Sequence, residues 1–531
     1  MLISFPPTIS KLQEVVIKTL AEDWCLGNGV VMLKDPKEHT GVHVPVTLFP
    51  SPFSKRGFEE ALKIQTAFNS VYMDVTIHSE WLLEIIQPLE KHDEFTRQLA
   101  DIYRETLPTR TQRITGGIFR SDYIVSKTEE GRQIKQVEFN TVSVSFGGLS
   151  TKVTELHNYI ANKTRNLVHG EIPISDSLQK IADGIMHMHK AYVWGDAHEK
   201  KLSSRMPSPS AVKVPNISIE GDDGEQYDAG DDDDSVFVET NDDDVLEETI
   251  ACVLFVVQPN ETNVVDQRLI EFQLSNKYGI PSYRATLSSI SNLVSLGSDN
   301  RLIHLPTGQE ISVVYYRSGY SPEDYPTEKE WESRRTLERS HAVQCPGVLT
   351  QLAGCKKVQQ VLSNPEVLAK FTPELDEQSR ERIRKTFVAI YPMDDSPEGL
   401  VGRKLAFESP DKYVLKPQRE GGGNNIYRDD IVPFLNSIPK ESWGAYILME
   451  LITPPRLSNR ILRNGELQSG RVVNELGIFG TAIWDYQSGT TLLNQQAGWL
   501  LRTKLQSSDE GGIAAGFAAL DSVMLVSQNR S

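Results

Sequence analysis

Three adjacent glycines, Gly421, Gly422 and Gly423, follow Glu420 and lie just beyond Lys416 in the segment YVLKPQREGGGNNIY, residues 413–427. A run without Cβ atoms lets backbone amides approach an anion, and a neighbouring lysine supplies fixed positive charge. The GxxxxGK(S/T) spacing of a Walker loop is missing, as is the GxGxxG of a Rossmann turn or a kinase. Three glycines alone read equally well as a flexible hairpin tip. Flanked by Lys416, Arg419 and Glu420, they read better as a loop that covers phosphate.

A second group lies in IKQVEFNTVSVSFGGLS, where Val137 and Phe139 alternate with Gln136, Glu138 and Asn140. Residues two apart in a strand share a face, so Glu138 and Asn140 project together. A carboxylate and an amide oxygen are ligands of the kind Mg²⁺ accepts. Periodicity alone favours a solvent-facing strand side. The continuation through Ser143, Ser145 and Gly147-Gly148 is unusually polar and glycine-bound. A third group, LLRTKLQSSDEGGIAAG, sets Arg502 and Lys504 two apart ahead of a small-residue loop, Gly511 to Gly516. That loop can close over a small substrate or begin a close-packed helix. The fourth, YILMELI before Thr453-Pro454-Pro455, is a strand whose end can meet an adenine edge, though most such strands are plain core. The histidine pairs carry no metal motif: His39 and His43 flank Gly41 without the HExxH glutamate, and His187 and His189 fall on different helix faces as surface residues.

The elements around these groups alternate in kind. SDSLQKIADGIMHMHKAY places Leu178, Ile181, Ile185, Met188 and Tyr192 at helical spacing. After residue 250 come the apolar strand IACVLFVV, the helix NVVDQRLIEFQLSNKYG, and the strands IPSYRAT, RLIHL and ISVVYYR, with a PTGQE turn between the last two. Short apolar strands alternating with helices predict a parallel sheet over 250–355, with mixed α+β on either side. Between 195 and 249 the chain has few apolar residues and no periodicity, which predicts a disordered acidic insertion. An EF-hand is excluded there by the absent ligand spacing.

The net charge is −17, yet 15 acidic residues and no Lys or Arg lie between Glu220 and Glu248, so the rest of the chain is close to neutral. No basic face for nucleic acid is expected. At 531 residues, with 39% hydrophobic and 24% charged, the chain suits a soluble protein of about two to four domains. No apolar run reaches the ~18 residues of a membrane helix, and MLISFPPTIS lacks a secretory pattern. Four scattered cysteines, Cys25, Cys252, Cys345 and Cys355, exclude a zinc ribbon or disulfide scaffold and fit a reducing cytosol.

With FRSDY, VEFNTVSVSFGGL, NVVDQR, VVYYRSGY, ERSHAVQCP, QLAGCKKVQQ, VLKPQREGGGNN, YILME, ELGIFG and LLRTK through GGIAAG in one order, the chain resembles the eukaryotic glutathione synthetase family of ATP-grasp ligases. The resemblance covers nearly everything outside the acidic insertion. It implies an α/β and α+β multidomain fold. Residues 1–194 would form the first part of the ATP-grasp body, 250–355 an inserted parallel-sheet substrate domain, and 356–531 the nucleotide-binding and glycine-rich lid region. It further implies a cytoplasmic homodimer that joins γ-glutamylcysteine to glycine with ATP and Mg²⁺. By motif, Glu138, Asn140 and Glu420 would hold the metal, and Arg120, Lys416 and Arg502 would be catalytic. ATP would meet Glu138, Lys356, Lys416, Pro417, Gln418, Arg419, Glu420, Gly421, Gly422, Gly423, Asn424, Asn425, Tyr427, Met449, Glu450, Leu451, Ile452, Glu475, Lys504 and Glu510. The family often has aspartate where this chain has Glu510. The dipeptide and product would meet Arg120, Ser143, Val144, Ser145, Glu261, Thr262, Asn263, Gln267, Arg317, Ser318, Gly319, Tyr320, Arg502, Ile513 and Ala514. Two rivals stay open: another small amine such as β-alanine as acceptor, and a nucleotide-holding regulatory protein without turnover.

Overall fold

The computed structural model describes residues 5–110, 112–128, 131–164, 167–203, 251–420, 423–508, 512–513 and 516–526. The insertion therefore lies outside the described residues, apart from its first stretch. There the helix Ser177–Ser203 runs across the boundary expected at 194/195.

The largest sheet has seven strands in the order Leu457–Arg463, Val46–Thr47, Ala518–Asp521, Thr491–Leu505, Glu466–Asp485, Ile114–Thr128 and Gly131–Asn140. Strand Leu457–Arg463 also pairs with Glu466–Asp485, so five strands close on themselves. Both ends of the chain thus build one sheet. Strand Glu466–Asp485 alternates sides: Leu476, Ile478 and Trp484 enter the cluster beneath helix Lys55–Ile77. Phe479 and Ile483 enter the opposite cluster with Leu149 and Ile185. Period-two patterning with two apolar faces requires a cover on each side, and the helices Gly147–Thr164 and Ser177–Ser203 supply the second.

A six-stranded sheet occupies 252–345. Ser282–Ala285, Cys252–Val256, Gln309–Tyr316 and Val343–Cys345 run parallel. Leu302–His304 and Val294–Leu296 add antiparallel, so the sheet is mixed where a parallel one was expected. The link from His304 to Gln309 is too short for a crossover, which needs a dozen residues or more. Helix Val264–Tyr278 ends at Gly279, whose φ of 65° is the left-handed stop that glycine takes without strain. Two two-stranded sheets, Val31–Asp35 with Thr40–His43 and Ser51–Ser54 with Val523–Val526, lie apart from the others. A four-stranded antiparallel sheet is ordered Ile390–Pro392, Ile447–Glu450, Tyr413–Lys416 and Ile426–Tyr427. It has a small cluster of its own, with Met393, Tyr413, Leu415, Leu435, Trp443 and Leu448 on one face.

Cys25, Cys252 and Cys345 are buried and Cys355 is half-buried, all as free thiols. Burial pushes Cys25, Cys252 and Cys355 up to about 12 and raises Cys345 as well. The pair His187 and His189 divides differently from expectation. His187 is exposed, but His189 is half-buried and bonded to Ser312 Oγ at 2.8 Å, because the sheet packs against that side of the helix.

Candidate active site

A cavity of about 470 Å³ lies where the three larger sheets meet. Its first wall is the end of the seven-stranded sheet. Strand Gly131–Asn140 carries a bulge opposite Asp122 and Tyr123 that leaves Val137 unpaired. Two residues then oppose one, and the alternation shifts by a position. Gln136, expected beside Glu138, is instead fully buried and near Gln359, while Val137, Glu138 and Asn140 all line the cavity. The Val137 carbonyl accepts a hydrogen bond from Lys416 Nζ at 2.9 Å. The bulge therefore ties the first wall to the second.

Lys356 Nζ stands 3.2 Å from Glu138 Oε2 and 3.1 Å from Glu420 Oε1. Two carboxylates from distant parts of the chain thus converge on one cation. Burial opposes ionisation of Glu138 most, but Lys356, Lys416, Arg502 and Arg120 together hold its carboxyl well below the usual range. Burial, aided by the Glu138 charge and opposed by Lys356, pushes Glu420 up to about 7. Burial also lowers Lys416, with Glu138 resisting.

Deeper in the same wall, Arg120 Nε and Nη2 form a fork on Asp122 at 2.6 and 2.8 Å. Arg502 Nη2 reaches Asp122 Oδ2 at 2.9 Å and also pairs with Glu475. Arg120, Arg502, Lys356 and Lys416 are matched by Asp122, Glu475, Glu138 and Glu420.

The opposite end is formed by the loop 141–146 and the six-stranded sheet. Arg317 donates to the Val144 carbonyl and, at 2.8 Å, to Ser145 Oγ. Ser143 and Phe146 hold φ of 52° and 68°, unusual for side-chain-bearing residues and common at binding sites. Asp266 fixes this turn by accepting from the amides of Phe146, Gly148 and Leu149 at 2.7, 2.8 and 3.0 Å, filling the N-terminus of helix Gly147–Thr164. The third region is apolar, with Val414, Met449, Leu451, Ile452 and Tyr427. The amides of Glu450 and Leu451 are used on Ala389 and Lys412 carbonyls, so a base edge at this segment would not find them.

Of the residues singled out from the sequence, the cavity brings together Arg120, Glu138, Asn140, Ser143, Val144, Ser145, Glu261, Asn263, Arg317, Tyr320, Lys356, Lys416, Arg419, Glu420, Asn424, Asn425, Tyr427, Met449, Glu450, Leu451, Ile452, Glu475, Arg502, Lys504 and Ile513. Pro417, Gln418 and Gly423 line a second cavity of about 400 Å³ beside it. Gln418 bridges the Lys357 amide and the Ala445 carbonyl, and Arg419 reaches Asp93 Oδ2 at 2.6 Å. Four residues stand behind the lining. Thr262 gives its carbonyl to Leu33, and Gln267 uses its amide on Glu261 and Arg284. Ser318 is buried, and the Gly319 carbonyl accepts from Gln351 and Tyr325. Gly421, Gly422, Glu510 and Ala514 lie outside the described residues. Sequence reasoning missed Asp122, although it sits two residues from Arg120 in FRSDY, and Asp266, although it lies within NVVDQR.

The donor set suits a hard divalent cation. Two carboxylates already converge on one positive charge. Asn140 uses its amide nitrogen on Asp122 and on the Arg120 carbonyl, leaving its oxygen to face the cavity. Among the described residues no group of three or more His, Cys, Asp or Glu is placed for a metal. A cation here would complete its shell with phosphate and water, as Mg²⁺ does.

The family model for the eukaryotic glutathione synthase ATP-binding domain matches residues 10–525. The chain is 36% identical to the glutathione synthetase large chain of Schizosaccharomyces pombe, covering 95% of this chain and 96% of that one. It is 34% identical to the glutathione synthetase of Dictyostelium discoideum, covering 96% and 98%, and 35% identical to that of Homo sapiens, covering 94% of each. Its fold is similar to a solved glutathione synthetase-like effector of Globodera pallida in apo form, at TM-score 0.70, 20% identity and 98% coverage of both chains. On the extent of these matches, the chain belongs to the eukaryotic glutathione synthase family.

Proposed function

We propose that this chain is a glutathione synthetase that ligates γ-glutamylcysteine to glycine at the expense of ATP, through an acyl phosphate. The observation that carries the reading is the set of surfaces in one cavity: an apolar group, a cluster of lysines and carboxylates, and a group of arginines. The slot of Val414, Met449, Leu451, Ile452 and Tyr427 takes the base. Lys416 and Lys356 meet the phosphates, and Arg120, Arg502 and Arg317 meet the carboxylates of the dipeptide and glycine. Glu138, Glu420 and the Asn140 oxygen would hold Mg²⁺, which would supply positive charge against the phosphates.

The dipeptide carboxylate attacks the γ-phosphorus of ATP, giving acyl phosphate and ADP. Two anions must meet for this, and Lys416, Lys356 and Arg120 offset their repulsion in a site of low dielectric. The glycine amine then attacks the acyl carbon and phosphate leaves. An acyl phosphate hydrolyses in water, so the glycine loop at 421–423 and the loop 511–516 are proposed as lids that exclude solvent. The arrangement is read as ATP-grasp, with 1–194 and 356–531 forming the body and lid, and 250–355 forming the substrate domain. Segment 195–249 is read as an insertion outside the chemistry. A cytoplasmic homodimer belongs to the same proposal. Among the described residues no helix is long and apolar enough to cross a membrane. Leu12, Val15, Val16 and Leu26 are exposed along helix Lys11–Gly27, a surface that a second copy could cover.

The test is ADP release with γ-glutamylcysteine and a panel of amines. Dependence on both co-substrates, with glycine preferred over β-alanine by about 10- to 200-fold in kcat/KM, is expected for a one-methylene difference. Nucleotide binding without turnover would replace the ligase with a regulatory protein. Equal use of β-alanine would defeat the glycine assignment alone.

A further inference from the structure

Asp122 is fully buried in strand Ile114–Thr128 and does not line the cavity, yet three cavity residues depend on it. Its Oδ2 accepts from Arg120 Nη2 at 2.8 Å, Arg502 Nη2 at 2.9 Å and Asn140 Nδ2 at 3.0 Å, and its Oδ1 from Arg120 Nε at 2.6 Å. One carboxylate thus receives two guanidinium groups and an amide. A buried carboxylate without such partners would be costly. The sharing also fixes which atoms remain. Arg120 uses Nε and Nη2, Arg502 uses Nη2, and Arg502 Nε has no hydrogen-bond partner among the described residues. Among the described residues no hydrogen bond engages Nη1 of either arginine, which leaves that edge for a ligand.

A second observation points to the same spot. Gly477, on the neighbouring strand, pairs directly with Asp122. A Cβ there would lie 2.8 Å from both Arg120 Cδ and Asp122 Oδ1. Real Cβ atoms do not approach so closely, so the absence of a side chain at 477 holds open the space in which the fork lies.

We propose that Asp122 is the positioning residue of the ligase site: it sets the separation and presentation of Arg120 and Arg502, and through them the placement of the two substrate carboxylates. This rests on the ligase reading above. Its one link to the proposed metal set is Asn140. Among the described residues no hydrogen bond or ion pair joins Asp122 to the slot, Lys356 or Lys416, so without Mg²⁺ its loss should separate the substrates. With Asp122→Asn, of nearly the same shape, the Arg120 fork loses its charged acceptor. The KM for γ-glutamylcysteine or glycine should rise about 10- to 100-fold, the scale of a charge-assisted hydrogen bond, and kcat should fall. The dissociation constant for ADP without Mg²⁺, by titration calorimetry, should change less than about threefold. Gly477→Ala keeps every charge and crowds the fork, and should give the same split in smaller degree.

The proposal is overturned if Asp122→Asn leaves both KM values within about twofold, or weakens ADP as much as dipeptide and glycine. If Asp122→Asn does not fold, Gly477→Ala decides: unchanged KM values, or nucleotide and acceptor weakened alike, overturn it. Wild-type turnover tests the ligase reading separately, because only the ratio of variant to wild type bears on Asp122.

Discussion

The two walls of the cavity present similar charges but hold them by different means. Arg120, Glu138, Glu475 and Arg502 stand on four adjacent strands of the seven-stranded sheet, each ten residues long or more. Phe139, the neighbour of Glu138, stacks on Tyr72 with ring centroids 3.9 Å apart and lies between Phe68 and Phe119. Lys416 and Glu420 come instead from a four-residue strand and the loop after it. Their sheet packs over a small cluster, and the loop is pinned through Gln418 and Arg419. Register places the first set, and a few contacts place the second. Changes on the first wall should therefore alter chemistry with the fold intact, and changes on the second should loosen a local unit.

The largest effect is expected at Glu138. Glu138→Gln removes a charge from the cluster while Phe139 still anchors the strand. Turnover at limiting Mg²⁺ should fall by about 10²-fold or more, with the melting temperature nearly unchanged. Retained turnover would remove Glu138 from the metal set. Next come paired core truncations. Leu448→Ala should cost about 2–5 kcal/mol and Phe139→Ala about 3–5 kcal/mol. Hydrogen exchange in Leu448→Ala should accelerate mainly at 413–416 and 447–450, but in Phe139→Ala across both sheets. Identical exchange patterns would mean that the walls are one cooperative unit.

A smaller effect should appear with pH. In the folded protein Glu420 titrates at about 7, against its ordinary 4.5. Between these values the folded protein keeps a proton that the unfolded chain releases. The stability contributed below 4.5 is thus lost as pH rises through 7. Melting of the metal-free protein from pH 5 to 8 should show this loss, and Glu420→Gln should flatten it. Parallel curves would show that Glu420 ionises in both states alike. The smallest effect is expected from replacing residues 206–248 with a short linker, which touches neither wall as proposed. A change in kcat of more than about twofold would make the acidic segment part of the working enzyme.

Local patterns made much of this legible. The spacing of Lys416, Glu420 and the glycines pointed to one polar group, and Glu138 with Asn140 to another on one strand face. Of these, Lys416, Glu420, Glu138 and Asn140 line the cavity. Four of the six strands of the mixed sheet showed in their apolar runs, whereas Val294–Leu296 and Val343–Cys345, of only three residues each, did not. The short link from His304 to Gln309 makes one pairing antiparallel. The bulge at Val137 was not visible, because an unpaired residue belongs to the pairing of two strands. Asp122 and Asp266 were missed for a related reason. Each acts on residues brought to it by the fold, and neither has a local pattern of its own.

The cysteines have a consequence for the enzyme's chemical surroundings. With thiols held at about 12 or higher, on the order of one in 10⁵ is ionised at neutral pH, and the thiolate is the form that attacks a disulfide. A catalyst that takes in a thiol and releases a thiol works amid both, and amid their oxidised dimers. With its four thiols raised by burial, this chain would be slow to form mixed disulfides with what it makes. Its rate would follow the supply of γ-glutamylcysteine, glycine and ATP, and would stay indifferent to the oxidation state of the pool it fills.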